Sequence, residues 1–188
     1  METRIYWPTL ISHVDYKEDL SKLVNYSYQI KKEISSGGEE WLSDVYNTNN
    51  KFNVLSDKIF ETLNLWVIEN INLHCKKLNS KDILKPHNGW LNIYKKYSFQ
   101  EFHTHPGATL SAIFILKANA EKDAKIYFEN YRIQNSDTLD MAGSDRIFYK
   151  SVPGRLIIFE SSLRHSVEQQ KNDSDRITIA YNFGKRDV

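Results

Sequence analysis

Of the six histidines in this 188-residue chain, His103 and His105 stand two apart, in Phe102-His-Thr-His-Pro106. In extended backbone, side chains two apart leave from one face, with α-carbons roughly 6–7 Å apart. Both imidazoles can therefore bite one metal ion while Thr104 turns the other way. The plainer alternative is a polar strand end meeting a turn. A third histidine, His165, follows the apolar run Leu156-Ile-Ile-Phe159 across Glu160-Ser-Ser-Leu-Arg164. Two ligands close in sequence plus a distant one from another strand is how the mouth of a β-sandwich builds a three-coordinate site with open positions. Further on, Arg176-Ile-Thr-Ile-Ala-Tyr-Asn-Phe183 alternates strictly. Ile177, Ile179, Tyr181 and Phe183 share one face; Arg176, Thr178, Ala180 and Asn182 share the other. The charged loop from Gln169 to Asp175 reads as a short antiparallel return from His165, which brings Arg176 near it. An arginine beside a hydroxyl offers a planar fork of donors plus one more, apparatus suited to a carboxylate. The alternative is a solvent-facing stripe.

The elements that must hold these residues differ between the two halves. From Tyr16 to Ser35, Leu20, Leu23, Val24, Ile30 and Ile34 recur at helical spacing, and Gly37-Gly38 ends the segment. Ser56-Asp57 suits the cap of a second helix, in which Ile59, Leu63, Trp66, Val67, Ile71 and His74 follow at three- and four-residue steps up to Lys76-Lys77. After Lys85-Pro86 the period becomes two. Strands are expected over Trp90–Tyr97, Thr109–Leu116, Ala124–Phe128, Arg146–Tyr149, Arg155–Phe159 and Arg176–Phe183, separated by Gly, Pro, Asn and Asp turns. Many short strands at close intervals indicate a sandwich or barrel. The expected architecture is mainly β with N-terminal α-helices, a single domain over 1–188. Residues 1–85 would form a helical support layer and 86–188 the β core carrying the site.

Composition excludes several classes. With 40% hydrophobic and 26% charged residues, the chain is neither disordered nor collagen-like. A net charge of +1 lacks the basic excess of a nucleic-acid binder. No apolar run approaches the roughly 18 residues of a membrane helix, and the first residues lack a secretory pattern. The single cysteine, Cys75, fits a reducing compartment, so a cytoplasmic protein is expected. Exposed aromatic strands would allow a homodimer.

From about Trp90 to Phe183 the chain resembles the iron(II)- and 2-oxoglutarate-dependent oxygenases, and most of all a bacterial and phage branch with a His-x-His-Pro motif. The matching pieces are Trp90-Leu-Asn92-Ile-Tyr94, His103-Thr-His105-Pro, Leu110-Ser-Ala, Pro153-Gly-Arg-Leu-Ile-Ile-Phe159, His165-Ser-Val, and Arg176-Ile-Thr178 to Asn182-Phe183. The resemblance implies a double-stranded β-helix (jelly roll), iron(II) as the metal and 2-oxoglutarate as cosubstrate. It implies a dioxygenase that hydroxylates an unidentified substrate and releases succinate and carbon dioxide. Carried over residue by residue, His103 is the first iron ligand and His165 the distal one. Arg176, assisted by Thr178, pairs with the far carboxylate of 2-oxoglutarate; Asn92 and Tyr94 hydrogen-bond the cosubstrate, and Asn182 finishes the pocket. One departure stands out, because most of the superfamily places a carboxylate where this chain has His105. Three readings stay open: His105 is a third ligand, the iron uses two protein ligands plus water, or activity is altered. The first is preferred, since a histidine reaches a metal from that position and no obvious carboxylate competes. Neutral imidazole is the ligating form, so iron affinity is expected to fall below about pH 6.5.

Other groups read as structural: His13, His74, His87 and a buried thiol at Cys75. The rival readings are a cupin-like protein whose three histidines hold a metal without a keto acid, and a catalytically silent binding module. Substrate choice is expected from the loop Gln134 to Arg146 and from the N-terminal half. A small-molecule cosubstrate and an unknown primary substrate are the expected partners, with no nucleic acid and no membrane.

Overall fold

Strict alternation over the last strand requires a different environment on each of its faces, and the fold supplies one. A computed structural model of the chain describes residues 9–37, 41–130 and 146–185. In chain order its elements are β1 (Ser12–Asp15), α1 (Ser21–Glu33), β2 (Val45–Asn47), α2 (Glu61–Lys77), β3 (Leu84–Tyr94), β4 (Gln100–His103), β5 (Leu110–Lys117), β6 (Ile126–Glu129), β7 (Arg146–Tyr149), β8 (Arg155–Glu160), β9 (His165–Val167) and β10 (Arg176–Lys185). A six-stranded sheet runs β1-β8-β5-β10-β3-β2 and a four-stranded sheet runs β4-β9-β6-β7. Every ladder is antiparallel. The two sheets form the jelly roll, with the helices on the outer face of the larger one.

The odd residues of β10 (Ile177, Ile179, Tyr181, Phe183) lie in one cluster with Leu91 and Ile93 of β3, Phe114 of β5, Leu63, Val67 and Ile71 of α2, and Leu23 and Ile30 of α1. A second cluster, with Ile113 and Ile115 of β5, Ile126 and Phe128 of β6, and Ile157 and Phe159 of β8, fills the space between the sheets. Burial on both faces explains why β5 is apolar from Ala112 to Leu116 and β8 from Leu156 to Phe159.

Three expectations change. The segment between His165 and Arg176 is not a hairpin return, because β9 belongs to the small sheet and β10 to the large one; it crosses between the sheets. The N-terminal half is more than a helical layer, since β1 pairs with β8 and β2 with β3. Asp57 does cap, but its Oδ1 accepts the Ile59 N–H at 2.8 Å to open a short 3-10 turn over Lys58–Phe60 ahead of α2. The loop from Gln134 lies outside the described residues up to Arg146. The large exposed apolar side chains among the described residues are Leu42, Ile83 and Tyr97 outside the regular elements, Leu65 and Leu73 on α2, and Ile147 and Phe148 on β7, and the expected homodimer is not supported. Among the described residues, no helix is long and apolar enough to cross a membrane.

One glycine is fixed by geometry. Gly154 opens β8 with φ +82°, and a Cβ there would stand 2.7 Å from the Tyr16 carbonyl oxygen. Its own carbonyl accepts the Tyr16 N–H at 2.9 Å, and its N–H donates to Ile115 at 2.8 Å. Gly154→Ala therefore combines left-handed strain with a backbone clash and should cost about 1–3 kcal/mol. A thermal melt should fall by roughly 2–4 °C for each kcal/mol; an unchanged melting temperature would contradict this account.

Candidate active site

Pairing of β4 with β9 sets His103 directly opposite His165, just past a register shift after Gln100. His105 lies beyond the end of β4, and its backbone N–H donates to the Ser161 carbonyl at 2.9 Å. The three rings converge, with centroids 4.2 Å apart for His103–His165, 5.3 Å for His103–His105 and 5.0 Å for His105–His165. One nitrogen from each ring lies within 4.8 Å of the others, a grouping that could hold a metal ion.

The tautomers follow from the partners. His103 Nδ1 sits 2.7 Å from the Glu101 carbonyl and His165 Nδ1 2.9 Å from the Leu163 carbonyl. A carbonyl only accepts, so both Nδ1 atoms carry hydrogen and both Nε2 atoms present lone pairs. His105 Nε2 lies 3.2 Å from His165 Nε2 and must be the donor of that bond. Burial, ahead of their mutual repulsion, holds these imidazoles neutral: His105 falls to about 4 and His165 well below its ordinary value. His103 is lowered by burial too, against the opposing pull of Glu101. The loss of metal-ligating form expected below about pH 6.5 therefore moves to lower pH.

The cavity these rings face is also lined by Asn92 and Tyr94 of β3 and by Arg176 and Thr178 of β10. Register explains the grouping, since Arg176 pairs with Tyr94 and Thr178 with Asn92. Arg176 is 0% exposed. Its Nε donates to Ser151 Oγ at 2.8 Å, and its guanidinium carbon lies 4.6 Å from the centre of the Tyr94 ring. Nη1 and Nη2 are buried without a hydrogen-bond partner, as is Asn92 Oδ1. Asn182 lies outside this group. Six residues along β10 from Arg176 is about 20 Å, and there its Oδ1 accepts from Ser111 Oγ at 2.8 Å.

Sequence reasoning missed several neighbours. Trp41 meets His103 edge-on at 4.7 Å, and Trp90 lies 5.6 Å from His105. Gln100 Oε1 accepts from the Tyr94 hydroxyl. Gln100 shares its strand with His103, a signal that was available; the contact of Trp41 is not written in any local spacing. His74 is buried, with Nδ1 2.9 Å from Ser12 Oγ, and Cys75 is a buried free thiol.

The donor chemistry suits a divalent metal beside a dicarboxylate. Three imidazole nitrogens converge, and the same space is lined by Arg176, whose Nη1 and Nη2 have no protein partner and could donate to an anion. That space is narrow, about 20 Å³, and the half-buried Trp41 is among the residues that line it.

Comparison with known proteins agrees with this chemistry. The model of a family described as "Putative 2OG-Fe(II) oxygenase" matches residues 88–182, half of the chain. The solved structure of a Pseudomonas putida prolyl-4-hydroxylase superposes with a TM-score of 0.66 at 12% identity, covering 95% of this chain and 94% of that one. A viral collagen prolyl hydroxylase from Paramecium Bursaria Chlorella virus-1, in complex with 2OG, gives 0.61 at 15% identity over 92% and 94% of the two chains. A non-heme alpha ketoglutarate dependent epimerase from nogalamycin biosynthesis gives 0.64 at 10% identity over 94% and 77%. At such identities the likeness is one of fold. A search of curated proteins found no match. By the family match, and in keeping with its fold and its histidine cluster, the chain belongs to the 2OG-Fe(II) oxygenases, oxidoreductases that use iron(II) and take 2-oxoglutarate as cosubstrate.

Proposed function

We propose that this oxygenase is a hydroxylase of an unidentified primary substrate, with iron(II) held by His103, His105 and His165 and 2-oxoglutarate held by Arg176 and Thr178. The observation that carries the reading is the buried Arg176 fork, whose two unpartnered nitrogens share one cavity with three converging imidazoles. When bound, iron(II) would let dioxygen act as the oxidant: one oxygen atom would end in succinate as 2-oxoglutarate loses carbon dioxide, and the other would convert a substrate C–H to C–OH.

The protein's own groups prepare that event. The Glu101 and Leu163 carbonyls lock the rings of His103 and His165 with Nε2 inward. His105 joins the set by moving its hydrogen to Nδ1, which frees Nε2 to coordinate. Arg176 receives the far carboxylate of the keto acid, Thr178 adds a hydroxyl, and Asn92 and Tyr94 complete that wall. Trp41, Trp90, Ile113 and Val167 keep bulk water from the space. A cupin-like metal protein has no use for the guanidinium fork, and this favours the oxygenase reading over that rival. The N-terminal strands are part of the large sheet, which supports a single catalytic unit, and the lone Cys75 is in keeping with a cytoplasmic setting.

Anaerobic addition of iron(II) and then 2-oxoglutarate should give a visible metal-to-keto-acid charge-transfer band, and admitting oxygen should release succinate. Arg176→Ala should raise the 2-oxoglutarate concentration at half-saturation roughly 100-fold, as expected for two charge-assisted hydrogen bonds, and leave iron binding intact. Folded wild-type protein without the band would remove this reading.

A second outcome concerns pH. The buried imidazoles have depressed pKa values, so between about 6.5 and about 4 the unfolded chain takes up protons that the metal-free fold does not. Stability of the metal-free protein should be full above that window and fall as pH drops through it. His105→Gln should flatten the fall in a series of melts from neutral to acid pH. A melting temperature independent of pH across the window would contradict the burial.

A further inference from the structure

Ser151, in the turn between β7 and β8, is fully buried. Its hydroxyl donates to the Ala124 carbonyl at 2.6 Å and accepts the Arg176 Nε–H at 2.8 Å. The support beneath it is fixed. The Ala124 N–H donates to Gln170 Oε1 at 2.8 Å, Gln170 Nε2 donates to Asp123 Oδ1 at 2.9 Å, and Asp123 Oδ2 accepts the Asn119 N–H at 2.7 Å. Gln170 and Asp123 are buried as well. The single hydroxyl hydrogen of Ser151 is committed to a carbonyl, so only a lone pair faces the guanidinium.

A guanidinium can meet a carboxylate along its Nε edge or end-on through Nη1 and Nη2. Ser151 occupies Nε and closes the first approach. The Tyr94 ring lies against the guanidinium at 4.6 Å and restrains it from tilting. The two nitrogens left without partners are Nη1 and Nη2. We propose that Ser151 is a positioning residue that commits Arg176 to an end-on grip and thereby sets the chain length of the keto acid the site accepts. The inference rests on the reading of Arg176 given above. An end-on fork held at fixed depth stops the far carboxylate at one distance from the histidine cluster. That distance selects five-carbon 2-oxoglutarate over six-carbon 2-oxoadipate. Without the hydroxyl the fork is free to turn in its own plane and to accept more than one length.

The test uses iron(II)-loaded protein, titrated anaerobically with 2-oxoglutarate and with 2-oxoadipate while the charge-transfer band is followed. Solvent exchange of the Arg176 Nε–H is read by NMR on metal-free protein. In Ser151→Ala, 2-oxoglutarate should bind about 10-fold more weakly, as for loss of one hydrogen bond to a charged group. The preference for 2-oxoglutarate over 2-oxoadipate should shrink several-fold, the Nε–H should exchange faster, and nickel(II) affinity should stay unchanged. Ser151→Cys, near in size but a poor acceptor, should relax the preference in the same direction and serves if the alanine variant fails to fold. Equal weakening for both acids would show a merely structural role and overturn the proposal. So would a wild-type band with unchanged affinities in both variants, which leaves the 2-oxoglutarate reading standing. Absence of any band in the wild type would take both down together, whatever the NMR shows.

Discussion

A guanidinium removed from water with two of its three nitrogens unpaired is the constraint around which this molecule is arranged. A buried charge without partners costs several kcal/mol, and a fold tolerates it only where the surroundings leave it no route to solvent. Arg176 has none: strands lie on both sides of it in the large sheet, and the small sheet covers it. Ser151 takes its Nε and Tyr94 its flat face, while the charge of Asp123 opposes the lowering of its pKa by burial. The unmet donors stay directed at the interior. A cavity with a standing demand for an anion is the result.

The histidine cluster complements that demand. Three neutral imidazoles bring no negative charge of their own, so a divalent ion among them would keep its full charge. A dicarboxylate entering the cavity would then meet a cation at each end. Glu101, two residues from His103, has its Oε2 buried without a partner, and its charge pulls the His103 pKa upward against burial. It sits beside the ligand set rather than in it, which agrees with the absence of any carboxylate from the cluster among the described residues.

What could be read from residue order depended on how the information is carried. His103, Arg176 and Thr178 were legible because a period of two assigns faces directly, and the large-sheet register then set Arg176 against Tyr94 and Thr178 against Asn92. Parity fixes a face but not a distance along it, and for that reason Asn182 has the orientation of Arg176 without its company. β4 and β9 have only four and three residues, too short for a periodic signal, although their pairing is what brings His103 to His165. Ser151 was illegible for another reason. Its contact is made across 25 residues and two sheets, through a turn whose shape depends on Gly154.

The two-faced character of β10 limits how such a protein can diversify. Its odd residues from Ile177 to Phe183 are locked into the helix-side cluster, and Arg176, Thr178 and Ala180 into the cavity wall. Inserting or deleting one residue would exchange the two sets at once, pushing a guanidinium into hydrocarbon and isoleucines toward the histidines. Changes of length should therefore be purged from this strand and accumulate in the connections between strands, so that drift in what the enzyme recognises outpaces drift in how it handles its cosubstrate.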